Sequence, residues 1–258
     1  ERKDFDSYRS YSEAKKEIEN GQFFTPPDLC QLVAEVLKPS QFDLVADLTC
    51  GKGSFFNFFP VESNLYGCEI DAKACKVARF LFPSANITPG DIRTYKPELR
   101  FDYVVGNPPF NLRWWTGESK EVLSQLYYCY KAAELLKPLG ILALIVPRSF
   151  LADDFSDKAM IREMERQFSF LGQIGLPDDA FASLGVESFP TKLQLWQKKS
   201  EAKDWKARRY ALELTKTLPN GFKPEREAQH IYERMLLLAK ADLEKNKSHV
   251  LLELAKEH

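Results

Sequence analysis

The chain has 258 residues, 44% of them hydrophobic, and a formal net charge of −1, from 36 Lys and Arg against 37 Asp and Glu. That length holds one α/β domain with extensions, and the near-neutral balance lacks the basic surplus by which a stand-alone nucleic-acid binder grips phosphate. No run is long and apolar enough to span a membrane and no secretory leader is read, while five cysteines without metal-like pairing are expected to be buried free thiols in a reducing, cytoplasmic setting.

Residues 1–20 are charged, with Tyr8, Tyr11 and Ile18 interspersed, and read as a helical arm; the start at Glu1 is taken as the cut end of a longer protein. The segment Gln22-Phe23-Phe24-Thr25-Pro26 precedes an amphipathic pattern, Leu29, Leu32, Val33, Val36 and Leu37. Thr25 is expected to cap that helix, with Pro26 in its first position.

Leu44 to Leu48 form a short apolar run that enters Thr49-Cys50-Gly51-Lys52-Gly53-Ser54, the pattern of a strand, a tight glycine turn and then a helix. A phosphate-binding loop would need Gly in place of Ala46 and Ser or Thr in place of Gly53, and the dinucleotide fingerprint a third glycine in place of Phe56. Both fail. Cys50 reads as a small packing residue rather than a nucleophile.

A second strand, Leu65 to Asp71, carries Glu69, placed to take both hydroxyls of a ribose or else to end the strand in solvent. Asp71 is expected to cap the helix begun at Ala72. A third strand, Asn86-Ile87-Thr88, closes on Gly90-Asp91-Ile92. Asp91 reads either as a turn residue or as the acceptor for a cofactor's adenine amino group, with Ile70 and Ile92 against the ring faces.

The run Phe101 to Gly106 is a buried parallel strand that ends in Asn107-Pro108-Pro109-Phe110, because neither proline can donate to a ladder. Open α/β sheets bind ligands at this end of a strand. The Asn107 oxygen and the Pro108 carbonyl can accept the two N–H bonds of an exocyclic amine, and Phe110 offers a stacking face. Acceptors out of the ring plane favour a pyramidal nitrogen whose lone pair is available. The alternative is a plain strand-ending turn.

Residues 111–117, with Trp114 and Trp115, show no clear period and are expected to form a mobile loop over the substrate, its tryptophans stacking on nucleobases or packing the loop down. Residues 121–137 have helical period. All three histidines, His230, His249 and His258, fall near the C-terminus, which disfavours hydrolase triads and histidine–zinc sites. From Ser200 the composition turns to mixed charge with helical stretches, read as an extension or docking surface.

Taken in order, these motifs resemble the N6-adenine DNA methyltransferases that use S-adenosylmethionine, in the arrangement called gamma, as in type I modification subunits. The similarity continues through Leu136-Lys137-Pro138-Leu139-Gly140 into Ile141 to Pro147, like the family's fifth strand entered across a turn, and through Thr191 to Trp196, like its last. It implies an α/β fold with a doubly wound, mostly parallel, seven-stranded Rossmann-like sheet. The methyltransferase domain spans 21–199, between helical extensions at 1–20 and 200–258. It implies catalysis by Asn107, Pro108, Pro109 and Phe110. Cofactor contacts would come from Phe24, Thr25, Asp47, Thr49, Cys50, Gly51, Glu69, Ile70, Asp91 and Ile92, without a metal. Phe189 would be a second aromatic beside a flipped base. The partners implied are DNA and a separate specificity subunit or domain, since no recognition domain is visible. Where the family's glycine turn has Thr, this chain has Lys52, a cation expected to point away from a cationic sulfonium. RNA or a protein glutamine as methyl acceptor, and a non-catalytic cofactor-binding module, remain alternatives.

Overall fold

The computed structural model describes residues 24–116, 121–151, 158–185 and 189–199; the arm at 1–20 and the extension at 200–258 lie outside them. In chain order the elements are α1 (Pro27–Leu37), β1 (Val45–Asp47), β2 (Leu65–Glu69), α2 (Ala72–Leu81), β3 (Asn86–Pro89) and β4 (Phe101–Gly106). Next come β5 (Arg113–Trp115), β6 (Glu121–Leu123), α3 (Ser124–Leu135), β7 (Leu136–Pro147), α4 (Lys158–Gln167), β8 (Phe168–Gly175) and β9 (Thr191–Lys198). Seven strands form one sheet in the order β3-β2-β1-β4-β7-β9-β8. Its described strands run parallel except β9, which is antiparallel to both neighbours.

Strand alternation sorts the core into two layers. Val45, Val105, Ile141, Ala143 and Ile145 face one way and meet Leu29, Val33 and Val36 of α1. Their sequence neighbours Ala46, Val104, Leu142, Leu144 and Val146 face the other way and meet Leu126, Cys129 and Ala132 of α3. A sheet covered on both faces needs apolar residues at successive positions, which is why these strands read as continuous apolar runs. Among the described residues, no helix is long and apolar enough to cross a membrane.

Several local expectations shift. Pro26, not Thr25, occupies the cap position of α1, in extended geometry (φ −57°, ψ 145°). Pro27 forces this, because the residue before a proline is pushed out of the helical region. Asp71 does cap α2, accepting from Lys73 N at 2.7 Å and Ala74 N at 2.8 Å. The glycine turn leads into a single 3-10 segment, Ser54–Phe58, rather than a full helix.

The expected loop at 111–117 contains β5, paired with β6 as a hairpin, so the following helix begins at Ser124 instead of residue 121. The Ser124 backbone N–H donates to Leu112 O at 2.8 Å and its hydroxyl to Pro109 O, which fixes the junction. The Pro-Leu-Gly turn is taken up inside β7, with Leu139 left-handed (φ 65°) and a register shift against β4 between Phe101 and Tyr103.

Candidate active site

The C-terminal ends of β1, β2, β3 and β4 meet at a cleft of about 340 Å³, within the size range of small-ligand sites. Glu69 ends β2 and is 7% exposed. One carboxylate oxygen accepts from Gly51 N at 2.7 Å and the other from Asp71 N at 2.7 Å. Each oxygen keeps a second lone pair for a ligand hydroxyl. Across the turn, Thr49 lines the cleft, and its buried hydroxyl has no hydrogen-bond partner among the described residues.

The glycine turn explains its own residues. Gly51 is left-handed (φ +56°), and a Cβ there would lie 3.2 Å from the Phe24 ring. A Cβ on Gly90 would meet nothing within 4 Å, since Gly90 faces the open cleft. Ile70 (64% exposed) and buried Ile92 supply apolar walls at the β2 and β3 ends. Beside them the Asp91 carboxylate receives Arg93 Nε at 2.8 Å and 2.9 Å. Those bonds hold Asp91 below the usual carboxylate range, against a smaller opposing effect of burial.

Asn107 and Pro109 also line the cleft, and the Asn107 amide oxygen is buried. Pro108, between them in sequence, is buried and is not part of the cleft wall. Phe110 is buried next to the cleft lining rather than on it, and its ring stacks on Phe189 with centroids 5.5 Å apart and planes 10° from parallel. Asn111 follows in the left-handed region (φ 59°), which Asn tolerates. Thr25, Asp47 and Cys50 do not reach the cleft wall. Cys50 is buried, and burial, with Asp47 behind it, raises its thiol well above the ordinary range, as suits a packing residue.

Lys52, expected to point away from a sulfonium, is exposed. It lines the cleft, with Nζ 4.0 Å from the centre of the Phe24 ring, a cation–π seat that holds the ammonium at the rim. Sequence periodicity missed Tyr128 altogether, because a helix pattern says nothing of what a phenol tip bonds. Its hydroxyl donates to Val105 O, accepts from Leu48 N at 2.9 Å, and lies 3.3 Å from Asp47 Oδ1. It therefore ties the end of β1 to the end of β4. A Cβ on Gly106 would come within 2.3 Å of this hydroxyl, so glycine before Asn107 is what lets α3 approach.

Burial drives the Asp47 carboxyl up to about 7 from an ordinary 3.8, with repulsion from Glu69 adding to it and the Thr49 N–H bond opposing it. A folded pKa above the unfolded one gives stability that is fully present below the unfolded pKa and lost as pH rises through the folded one. Asp47→Asn removes that loss. Its Tm relative to the parent is expected to rise between about pH 4 and 8; a flat Tm difference over that range would show that Asp47 ionises as freely folded as unfolded.

The sheet order β3-β2-β1-β4-β7-β9-β8 with β9 antiparallel, and a glycine turn and acidic strand end at its C-terminal edge, is the fold of the class I S-adenosylmethionine-dependent methyltransferases. A protein of Listeria monocytogenes described under that name superposes with a TM-score of 0.60 at 15% identity, over 87% of this chain and 72% of that one. A Vibrio vulnificus chain described as the modification subunit of a type I restriction enzyme gives 0.58 at 19% identity, over 90% of this chain and 57% of that one.

The chain belongs to the N-6 DNA methylase family, whose model matches residues 8–204. It is 30% identical over 154 residues to the type II methyltransferase M.CvrRI of Paramecium bursaria Chlorella virus XZ-6E, covering 55% of this chain. It spans 40% of that relative's length, and 30% and 41% of two other curated relatives.

Proposed function

We propose that this chain methylates the N6 amine of adenine in DNA, as the catalytic part of a restriction-modification or phage-defence system. The observation that carries the proposal is the placement of Asn107, at the end of β4, on the same cleft wall as Glu69 and Gly51. The cleft fits S-adenosylmethionine, the cofactor of this fold. Glu69 offers acceptors to a ribose diol, Ile70 and Ile92 flank an adenine with Asp91 at its edge, and the Thr49 hydroxyl and Lys52 serve its amino-acid part. When bound, the cofactor would supply an electrophilic methyl group on sulfonium sulfur, its S–C bond breaking as the new N–C bond forms, with S-adenosylhomocysteine as the product.

The chain's own work is to hold and align the amine. Asn107 Oδ1 and the Pro108 carbonyl accept its two N–H bonds, which turns the nitrogen lone pair out of conjugation. The proton leaves after the new N–C bond forms, so no strong base is needed, in keeping with histidines confined to the far C-terminus. Alignment is the larger share of such catalysis.

Site selection and most of the grip on DNA belong to another subunit or domain, since the net charge is only −1. Five buried free thiols suit the reducing cytoplasm of a bacterial, archaeal or phage-infected cell. The test is transfer of a tritiated methyl group to unmethylated duplex DNA, with a specificity partner added. Recovery as N6-methyladenine is expected, whereas label only in RNA or protein would replace the substrate.

Phe110 and Phe189 are the pair that would receive the extruded base. A base between two rings needs about 7 Å, twice the roughly 3.5 Å carbon contact distance, so the 5.5 Å pair must part to admit it. Phe189→Ala is expected to slow transfer to duplex DNA by about tenfold, from one lost stacking face. The loss should shrink when the target adenine is mismatched and easily extruded. Full duplex activity in this variant would remove Phe189 from the base slot.

A further inference from the structure

We infer that Trp114 is a cofactor-contact residue whose indole, carried on the hairpin beyond the Asn-Pro-Pro-Phe turn, walls the adenine end of the cleft. The inference rests on reading that cleft as the S-adenosylmethionine site. Trp114 lies opposite Val122 in the β5–β6 ladder. Strand alternation therefore sends the adjacent tryptophans to opposite faces. Trp115 turns outward and is 55% exposed. Trp114 turns inward onto the cleft wall, among Asp91, Arg93 and Pro109, and sets its ring edge-on against Tyr127 at 5.8 Å and 76°. Tyr127 marks the same corner, since burial and then the Asp91 charge raise its phenol above the ordinary range. Of the two roles open to this pair in the sequence, stacking on a nucleobase or packing the loop, the geometry gives Trp114 a third, a wall for the cofactor's own base.

Helix α3, which follows the hairpin directly and carries Tyr127, is tied to the Asn-Pro-Pro-Phe turn. Ser124 Oγ donates to Pro109 O, Gln125 Nε2 to Asn111 Oδ1 at 3.1 Å, and Asn111 N to Gln125 Oε1 at 3.2 Å. A base resting on Trp114 therefore steadies the segment that carries Asn107, linking cofactor loading to readiness for the target amine.

The full chain, with its four tryptophans, is titrated with S-adenosylhomocysteine by intrinsic fluorescence and calorimetry in parallel. The expected result is an emission change on binding that disappears in Trp114→Phe and persists in Trp115→Phe, and a Kd about tenfold weaker in Trp114→Ala. Thermal melts of the free variants show whether each is folded, and the Phe variant keeps the edge contact to Tyr127. Calorimetric binding with no emission change, or an emission change that survives Trp114→Phe, overturns the inference while leaving the cofactor reading intact. No calorimetric binding by the parent chain overturns the cofactor reading and the inference together.

Discussion

Asn107→Ala is expected to lower methyl transfer by about a thousandfold or more while leaving the Kd for S-adenosylhomocysteine within about twofold of the parent. The split follows from where the residue stands. Asn107 is on the cleft wall but at the β4 end, whereas the acceptor proposed for a ribose is Glu69 at the end of β2, held in place by the Gly51 and Asp71 N–H groups. Removing the amide takes away the acceptor proposed for one N–H of the target amine. The amine then stays conjugated with its ring, and the remaining Pro108 carbonyl fixes only one of its two hydrogens. Such an interaction is made most strongly as the nitrogen becomes pyramidal, so its loss appears in the rate of transfer and not in cofactor affinity. The fold should tolerate the change, because β4 is anchored by Val104 and Val105, both fully buried, and by the Tyr128 bond to Val105 O. Single-turnover transfer with tritiated cofactor reads the rate, and a melt of the free protein checks the fold. A variant that transfers at the parent rate would remove Asn107 from the chemistry.

The parts of the fold legible in the sequence are those where local and tertiary signals agree. The strands at 45–47, 65–69 and 101–106 sit in mostly apolar runs, and these and the edge strand at 86–89 are closed by glycine, acid or proline; the same punctuation marks the ligand edge of the sheet. Asp71 was legible because capping is a one-turn interaction that needs no distant partner. The hairpin of β5 and β6 was not, since Arg113-Trp114-Trp115 has too few residues to show a period and its partners are Val122 across the ladder and Tyr127 on α3. Helix α4 and strand β8 gave no distinctive signal: Phe168 to Gly175 interleaves Ser169, Gln173 and Gly172 with apolar residues, yet burial there is nearly complete. Gln173 is accommodated by pairing with Gln194 on β9 at 3.0 Å, a contact that exists only once the sheet is assembled. In the site, residue types announced Glu69 and Asn107, but the roles of Tyr128, Trp114 and Lys52 depend on which way a side chain leaves its element.

Glu69→Gln is expected to weaken S-adenosylhomocysteine binding by about a hundredfold. The carboxylate already accepts Gly51 N–H and Asp71 N–H, one on each oxygen, so it sets the shape of the glycine turn and presents its remaining lone pairs to the cleft. Bonds from hydroxyls to a buried carboxylate are worth roughly 1.5–3 kcal/mol each, and a factor of ten costs about 1.4 kcal/mol. Glutamine keeps the size of the side chain but puts an NH2 where an oxygen stood. That group meets either a backbone N–H or a ligand hydroxyl that has lost its acceptor, and one orphaned donor in a site this buried is enough for much of the loss. Two causes must be separated, a distorted turn and a missing ribose acceptor. Adenosine and its 2′,3′-dideoxy analogue separate them when both are titrated into parent and variant. If Glu69 holds the diol, the parent discriminates strongly between the two ligands and the Gln variant hardly does. If both proteins discriminate alike while affinity falls uniformly, Glu69 acts on the turn alone and the ribose is held elsewhere in the cleft.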